Sequence, residues 1–200
     1  MKFTNKNVFE AARHEIEASQ CLRERKKNMP PIILDIRSKE EYDEQHLVGS
    51  YSFPEKYLKD NYNQIPPYAQ IILYAENDDT ATAQAVELLI NNRFTDVSYV
   101  KGGIASLMDA IKNSADEIIL SELPEDQWEA KIEGILDERI RPTLASDGGG
   151  LQVIKIEKDI IHIHYEGACH GCASAATGTL NFIKNTLSTS LNHEINVVMA

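Results

Sequence analysis

Short, largely apolar runs alternate with helical patterns through the first half of the chain. Three runs have the length and continuity of strands buried on both faces, as in parallel sheets: 32–36, 70–74 and 97–100. Residues 80–91 place their apolar side chains on one helical face, 104–112 predict a further short helix, and 7–27 predict a polar amphipathic helix. This order predicts a βαβ unit with a right-handed crossover, within an α/β domain whose parallel sheet has helices on both faces.

The second half has a different order of predicted elements. We predict a first domain at residues 1–120, a polar linker at 121–124 and a second domain at 125–200. The pattern in the second domain predicts a helix, a turn, two strands, a helix and a last strand, at 125–145, 147–150, 151–157, 160–165, 174–191 and 195–199. This α-β-β-α-β order predicts a small α+β domain with its helices on one face of the sheet.

Composition narrows the class of protein. The 200 residues carry a formal net charge of −11, from 31 acidic and 20 basic side chains, which is a poor match to nucleic acid. The N-terminus reads as charged rather than as a signal peptide, and no run approaches the roughly 20 apolar residues that span a bilayer, so we expect no membrane partner. Three cysteines are too few for a disulfide-built fold. We therefore predict a cytoplasmic protein in a reducing environment.

Two of these cysteines form the candidate site. Cys169 and Cys172 lie between a predicted strand and a predicted helix. Thiolates at this spacing can bind one metal centre together, but they supply two ligands where tetrahedral zinc or a cubane iron–sulfur cluster needs four. From the residues alone, either a second copy of the chain supplies the other two ligands or the pair is a redox dithiol.

Three motifs around these cysteines resemble the C-terminal domain of the NifU family, whose Nfu-type members are iron–sulfur cluster scaffolds and carriers. They are Leu-Asp-Glu-Arg-Ile-Arg-Pro at 136–142, Ser-Asp-Gly-Gly-Gly at 146–150 and Gly-Ala-Cys-His-Gly-Cys at 167–172. The resemblance covers about residues 125–200. It implies a [4Fe-4S] cluster shared between Cys169 and Cys172 of two chains, although four thiolates can equally hold a [2Fe-2S] cluster.

The resemblance also implies partners. A cluster-loaded homodimer would pass its cluster to apo iron–sulfur proteins, with a cysteine desulfurase or another scaffold as donor. The local chemistry agrees, because thiolate is the ligand form of cysteine and a helix N-terminus stabilises its negative charge. Gly167 and Gly171 would let backbone amides approach the sulfur atoms closely.

Two histidines near the cysteines offer another candidate metal site. His162 and His164 alternate along a predicted strand and therefore share one face. Ile161, Ile163 and Tyr165 take the other face and are predicted to be core. We therefore expect the histidines to face solvent rather than to bind metal.

The first domain resembles the rhodanese family of sulfurtransferases over about residues 5–118. The matching segments are Ile-Leu-Asp-Ile-Arg at 33–37, Glu-Glu-Tyr at 40–42, His-Leu-Val-Gly-Ser at 46–50, Phe-Pro at 53–54 and Val-Lys-Gly-Gly at 100–103. An active rhodanese carries a cysteine directly after its central strand, and that cysteine becomes a persulfide. Here Ala75 stands at that position, followed by the acidic Glu76, Asp78 and Asp79. The resemblance therefore implies a domain without sulfurtransferase activity, used for docking or structure.

Three hypotheses follow from the sequence. The leading one is a non-catalytic carrier of an iron–sulfur cluster. The second is an enzyme, either a thiol oxidoreductase that uses Cys169 and Cys172 or a sulfurtransferase, and Cys21 on the predicted N-terminal helix is too remote to replace the missing nucleophile. The third is a dimer clamped by a structural zinc ion.

Overall fold

The computed structural model describes residues 12–77, 79–167 and 173–200. The chain divides into two compact units, Met1–Ser114 and Ala115–Ala200, each with its own core. Within the described residues, no helix is long and apolar enough to cross a membrane.

The first unit is built on a parallel sheet. Its strands, as far as the structure describes them, are β1 (Glu15–Ile16), β2 (Ile32–Asp35), β3 (Tyr51–Ser52), β4 (Ile71–Tyr74) and β5 (Val97–Val100). They lie in the order β1-β5-β4-β2-β3, and every neighbouring pair is parallel. All four residues of β4 are buried because this strand lies at the centre of the sheet. The three predicted strands and the parallel α/β fold are thus confirmed.

Five helices accompany this sheet in the described part of the unit. They are α1 (Ala18–Glu24), α2 (Lys39–Glu44), α3 (Glu55–Asn61), α4 (Asp79–Asn91) and α5 (Gly103–Asn113). Helix α2 begins at a capping box, in which the Ser38 hydroxyl accepts from the Glu41 amide and the Glu41 carboxylate accepts from the Ser38 amide. Hydrogen bonds from Ser38 lower the pKa of Glu41. The helices predicted at 80–91 and 104–112 are confirmed.

The helix predicted over residues 7–27 is confirmed at Ala18–Glu24 but not at residues 12–16. Residues 7–11 lie outside the described residues, Ala12–His14 form a 3-10 turn, and β1 follows before α1 begins. Glu15 and Ile16 pair with Tyr99 and Val100 of β5, and the amide of Lys101 donates to the carbonyl of Ile16 at 3.0 Å. Pairing with the sheet therefore overrides the helical pattern of the local sequence.

The second unit has the predicted α-β-β-α-β order. A helical run comprises α6 (Trp128–Ile135), a π-helical turn (Leu136–Ile140) and α7 (Arg141–Ser146), and it is followed by β6 (Gly149–Glu157), β7 (Ile160–Gly167), α8 (Ala173–Leu191) and β8 (Asn196–Met199). Strand β7 is central, antiparallel to β6 and parallel to β8. The small α+β fold is confirmed.

The alternation along β7 is as predicted. Ile161, Ile163 and Tyr165 are buried in the core of the second unit, whereas His162 and His164 are half-buried on the opposite face of the sheet. The imidazole Nε2 of His162 lies 3.1 Å from the carboxylate of Glu157. The face assignment of both histidines therefore agrees with the period of two along a strand.

The division between the units falls earlier in the chain than the sequence suggested. Ile118 and Leu123 pack against the second core, and Leu120 is fully buried within it. Residues 121–124, predicted as the linker, accordingly lie in the second unit. The difference arises because acidic residues and Pro124 flank these apolar side chains in the sequence, which favoured a linker there.

Candidate functional site

Cys169 and Cys172 lie outside the residues that the structure describes. Their flanks are well defined: β7 ends at Gly167 and α8 begins at Ala173. We call residues 168–172, which join these two elements, the cysteine loop.

Gly167 fixes the start of the cysteine loop through a close backbone approach. Its φ of 67° lies in the left-handed region, and a Cβ at this position would lie 2.4 Å from the carbonyl oxygen of Gly148. Gly149 is its partner in the β6–β7 register, so the glycine turn after α7 lies against the last residue of β7. No side chain fits between these backbones, which explains why glycines occur in both motifs.

The other end of the cysteine loop is the first turn of α8, a helix of 19 residues. The peptide dipoles of a helix give its N-terminus partial positive charge, which lowers the free energy of a nearby thiolate. The helix N-terminus at this end of the loop thus favours deprotonated cysteine, the form that binds metal.

The described residues do not form a complete metal site elsewhere. No group of three or more His, Cys, Asp or Glu side chains in the described part of the chain is placed to hold a metal ion. His162 instead lies against Glu157, whose pKa is lowered by hydrogen bonds from Lys155 and His162.

The first unit has its own candidate site at the carboxyl ends of the parallel strands, where α/β proteins commonly bind ligands. Ala75 follows β4 directly, is 7% exposed, and accepts a hydrogen bond from the amide of Ile104 at 2.9 Å. Gly103 has a φ of 57°, and a Cβ there would lie 2.3 Å from the carbonyl oxygens of both Ala75 and Glu76. The loop after β4 is therefore packed tightly against the start of α5.

Arg37 lies at the same edge of the sheet, and its guanidinium group donates hydrogen bonds to three residues. Its guanidinium donates to both carboxylate oxygens of the buried Asp35, to the carbonyl of Gln45, and to the Glu76 carboxylate at 3.0 Å. Burial acts against the charge of Arg37, but its bonds with Asp35 and Glu76 and their negative charges raise its pKa overall. Two carboxylates thus surround one cation, and the cluster as a whole carries net negative charge.

Tyr74 extends this polar network beneath the sheet edge. Its hydroxyl accepts from the amide of Leu47 at 3.1 Å and shares a hydrogen bond with the Ser50 hydroxyl at 2.9 Å. Burial and the charge of Asp35 raise the pKa of Tyr74, so the phenol stays protonated. The sequence did not predict the roles of Tyr74 and Arg37. The only local signal was that Asp35 and Arg37 stand at the end of an apolar run.

Cys21 is on α1 and is fully buried. Burial raises the pKa of its thiol to about 12. A thiol in this state is a poor nucleophile and a poor ligand. The thiol of Cys21 is therefore not placed to act as a nucleophile.

The fold and the two sites define a two-part protein: a parallel α/β unit with a closed polar edge, and an α+β unit that carries a pair of cysteines. The family model described as a rhodanese-like domain matches residues 18–110, and the one described as a NifU-like domain matches residues 132–198. The chain thus joins a rhodanese-like domain to a NifU-like domain.

Two curated relatives have names that agree with the NifU-like match. The mitochondrial NFU1 iron-sulfur cluster scaffold homolog of Drosophila grimshawi is 31% identical over 91 residues, which cover 46% of this chain and 30% of the relative. The nitrogen fixation protein NifU of Leptolyngbya boryana is 33% identical over 118 residues, which cover 46% of this chain and 57% of the relative. The chain therefore spans less than two thirds of the length of these relatives.

Solved structures with rhodanese-like names are similar to part of the chain. The Rhodanese_3-like domain of the Anabaena Alr3790 protein is 32% identical, with a TM-score of 0.38, over 40% of this chain and 91% of that one. A rhodanese-related protein from Thermoplasma volcanium is 21% identical, with a TM-score of 0.43, over 48% of this chain and 91% of that one.

Proposed function

We propose that this protein is a scaffold and carrier for iron–sulfur clusters, which binds a [4Fe-4S] cluster as cargo between Cys169 and Cys172 of two copies. The observation that carries the proposal is that the NifU-like match, residues 132–198, includes both cysteines. The curated relatives that match this region are named as a cluster scaffold homolog and as NifU.

The ligand count supports a shared site. A cubane cluster takes four thiolates, and each chain brings two in the cysteine loop. Two copies related by a two-fold axis supply the set without any further residue type. A cluster held between copies can leave by ligand exchange, in which thiolates of an apo iron–sulfur protein replace those of the carrier one at a time. A cysteine desulfurase or another scaffold would supply the cluster.

The rhodanese-like domain serves this function as a docking or structural module. A methyl group cannot hold sulfane sulfur, so Ala75 leaves the domain without a nucleophile. The carboxylate of Glu76 is held by Arg37, the cation that would otherwise be available to an anionic donor. We propose that the protein is not an enzyme, and that it works in the cytoplasm, where thiolate ligands persist.

Transfer to an acceptor tests this function. The cluster-loaded protein, mixed anaerobically with an apo-protein that needs a [4Fe-4S] cluster, is expected to activate it faster than equal amounts of free iron and sulfide. An iron chelator too weak to strip the carrier should leave the rate unchanged, because the cluster moves directly between thiolates. Activation no faster than with free ions, or abolished by the chelator, would refute the carrier role.

The enzyme alternatives give a second prediction. With thiosulfate and cyanide, the protein is expected to form no thiocyanate above the blank, and with insulin and a dithiol it should not speed disulfide reduction. An active rhodanese and a thioredoxin serve as positive controls in the same assays. Turnover in either assay that is lost in the Cys169→Ser variant would show instead that the pair performs sulfur-transfer or redox chemistry.

A further inference from the structure

Helix α8 differs from the rest of the chain in its charge. Its 19 residues include one charged side chain, Lys184, whereas 26% of the residues in the whole chain are charged. One face of the helix packs in the core of the second unit through the fully buried Ile183, Leu187 and Leu191. The remaining surface of the helix thus carries almost no charge, in a chain whose formal net charge is −11.

Three exposed residues lie on the side of α8 that is opposite the core. Gly178, Asn181 and Asn185 follow one another at spacings of three and four residues, which places them on one face of the helix. We call these three residues the outer face of α8. The two asparagine amides can both donate and accept hydrogen bonds, so this face is polar without being charged.

Gly178 is not explained by packing within the described part of the chain. It lies in the interior of α8, where glycine lowers the stability of a helix relative to alanine. A Cβ built on Gly178 has no described atom within 4 Å, and its φ is not in the left-handed region, so neither feature requires glycine there. An exposed residue without a side chain lets the backbone of another helix approach closely. The glycine therefore indicates a contact with another molecule.

The proposed cluster site brings one specific helix close to α8. Cys172 is joined directly to Ala173, the first residue of α8, so a cluster shared by two copies brings the starts of their two α8 helices together. At a rise of 1.5 Å per residue, Gly178 lies about 8 Å along the helix from that start. The core face of α8 is already occupied, which leaves the outer face for the partner. Two acidic copies also repel each other least where neither surface carries charge.

We propose that the outer face of α8 binds the same face of a second copy, so that the two helices pack across a two-fold axis beside the shared cluster. The two backbones approach closely at Gly178, and the amides of Asn181 and Asn185 form hydrogen bonds across the contact. A two-fold contact uses the same surface on both copies, and asparagine amides are self-complementary in this way. This contact rests on the proposed carrier function, since the shared cluster is what brings the two helices together.

The test compares Gly178→Gln with Gly134→Gln in the anaerobically reconstituted full-length protein. Gly134 is also an exposed helical glycine with no described atom within 4 Å of an added Cβ, but it lies in α6, one turn from the charged Lys131 and Glu138. Both substitutions should raise the melting temperature of the cluster-free protein by roughly 2–6 °C, because glutamine favours a helix more than glycine does. Only Gly178→Gln should weaken the cluster-loaded dimer, with a dissociation constant and a rate of cluster loss higher by roughly tenfold or more.

Analytical ultracentrifugation and retained iron measure these two quantities, and three results would overturn the contact. Equal dimer strength in the two variants would exclude the outer face from the interface. A normal dimer in Gly178→Gln that passes its cluster to an acceptor more slowly would assign this face to the acceptor protein instead. An unsubstituted protein that binds no cluster would overturn the carrier function and the contact with it, which distinguishes that failure from the other two.

A second pair of variants adds charge instead of bulk. Asn181→Glu places a carboxylate on the outer face of each copy, whereas Gln127→Glu places one at an exposed position just before α6. Repulsion between the new carboxylates should weaken the dimer in Asn181→Glu only, and more at low salt than at high salt. An equal mixture of Asn181→Glu and Asn181→Lys should recover the dimer, because opposite charges then meet. Equal dimer strength in Asn181→Glu and Gln127→Glu, or no recovery in the mixture, would contradict the proposal.

Discussion

Cys172→Ser is expected to abolish retention of the cluster and leave the fold intact. A serine hydroxyl is a hard, weakly acidic ligand that does not replace thiolate on iron at neutral pH. Loss of one cysteine per chain removes two of four ligands in a shared site, so the effect should be close to complete. The measurement is iron and acid-labile sulfide per chain after anaerobic reconstitution and gel filtration.

Cys21→Ala is the matched control for this variant. It also removes one of the three cysteines, but from a fully buried position in the other domain, where burial keeps the thiol protonated. We expect normal iron and sulfide content in Cys21→Ala. A full cluster in Cys172→Ser, or equal loss in Cys21→Ala, would show that the ligands have been assigned wrongly.

Gly167→Ala is expected to disturb the site without any change to a ligand. The new Cβ would lie 2.4 Å from the carbonyl oxygen of Gly148, and alanine would have to adopt a φ of 67°. Strain of this kind costs about 1–3 kcal/mol, and relief requires the start of the cysteine loop to move away from the glycine turn. We expect a lower melting temperature for the NifU-like domain and cluster loss that is faster by roughly tenfold, because thiolate positions must match the cluster closely.

Gly150→Ala provides the comparison at the same end of the sheet. There the nearest atoms to a new Cβ are in the flexible side chain of Glu166, at 3.4 and 3.5 Å, an ordinary contact distance. Stability and the rate of cluster loss should therefore change little. Equal effects of the two substitutions would mean that added bulk near the loop, and not the Gly148–Gly167 contact, controls the cluster.

The sequence predicted the elements whose signal is long and local. Strands β2, β4 and β5 are mostly apolar because they are largely buried, and the alternation in β7 separates His162 and His164 from the core. Strand β1 was missed because two residues carry no period, and its conformation depends on pairing with β5, which is more than 80 residues away.

The candidate sites also differ in whether their signal is local in the sequence or depends on contacts between distant residues. The absence of a cysteine at position 75 is visible in the sequence, as are the two cysteines of the proposed cluster site. The contact of Arg37 with Glu76 and the bond from Asn192 to Glu117 join residues 39 and 75 positions apart, so they appear only once the chain has folded. Residues 117–123 show the same limit, because their four apolar side chains are too short a signal to assign the segment to either core.

The most direct measurement of the central claim is iron, acid-labile sulfide and solution mass on one anaerobically reconstituted sample. A shared cubane cluster bound by four thiolates gives about four irons and four sulfides per two chains. The mass is expected to be that of a dimer and to move towards that of a monomer when the cluster is removed. A monomer without iron, or a dimer that contains zinc alone after anaerobic purification, would contradict that claim.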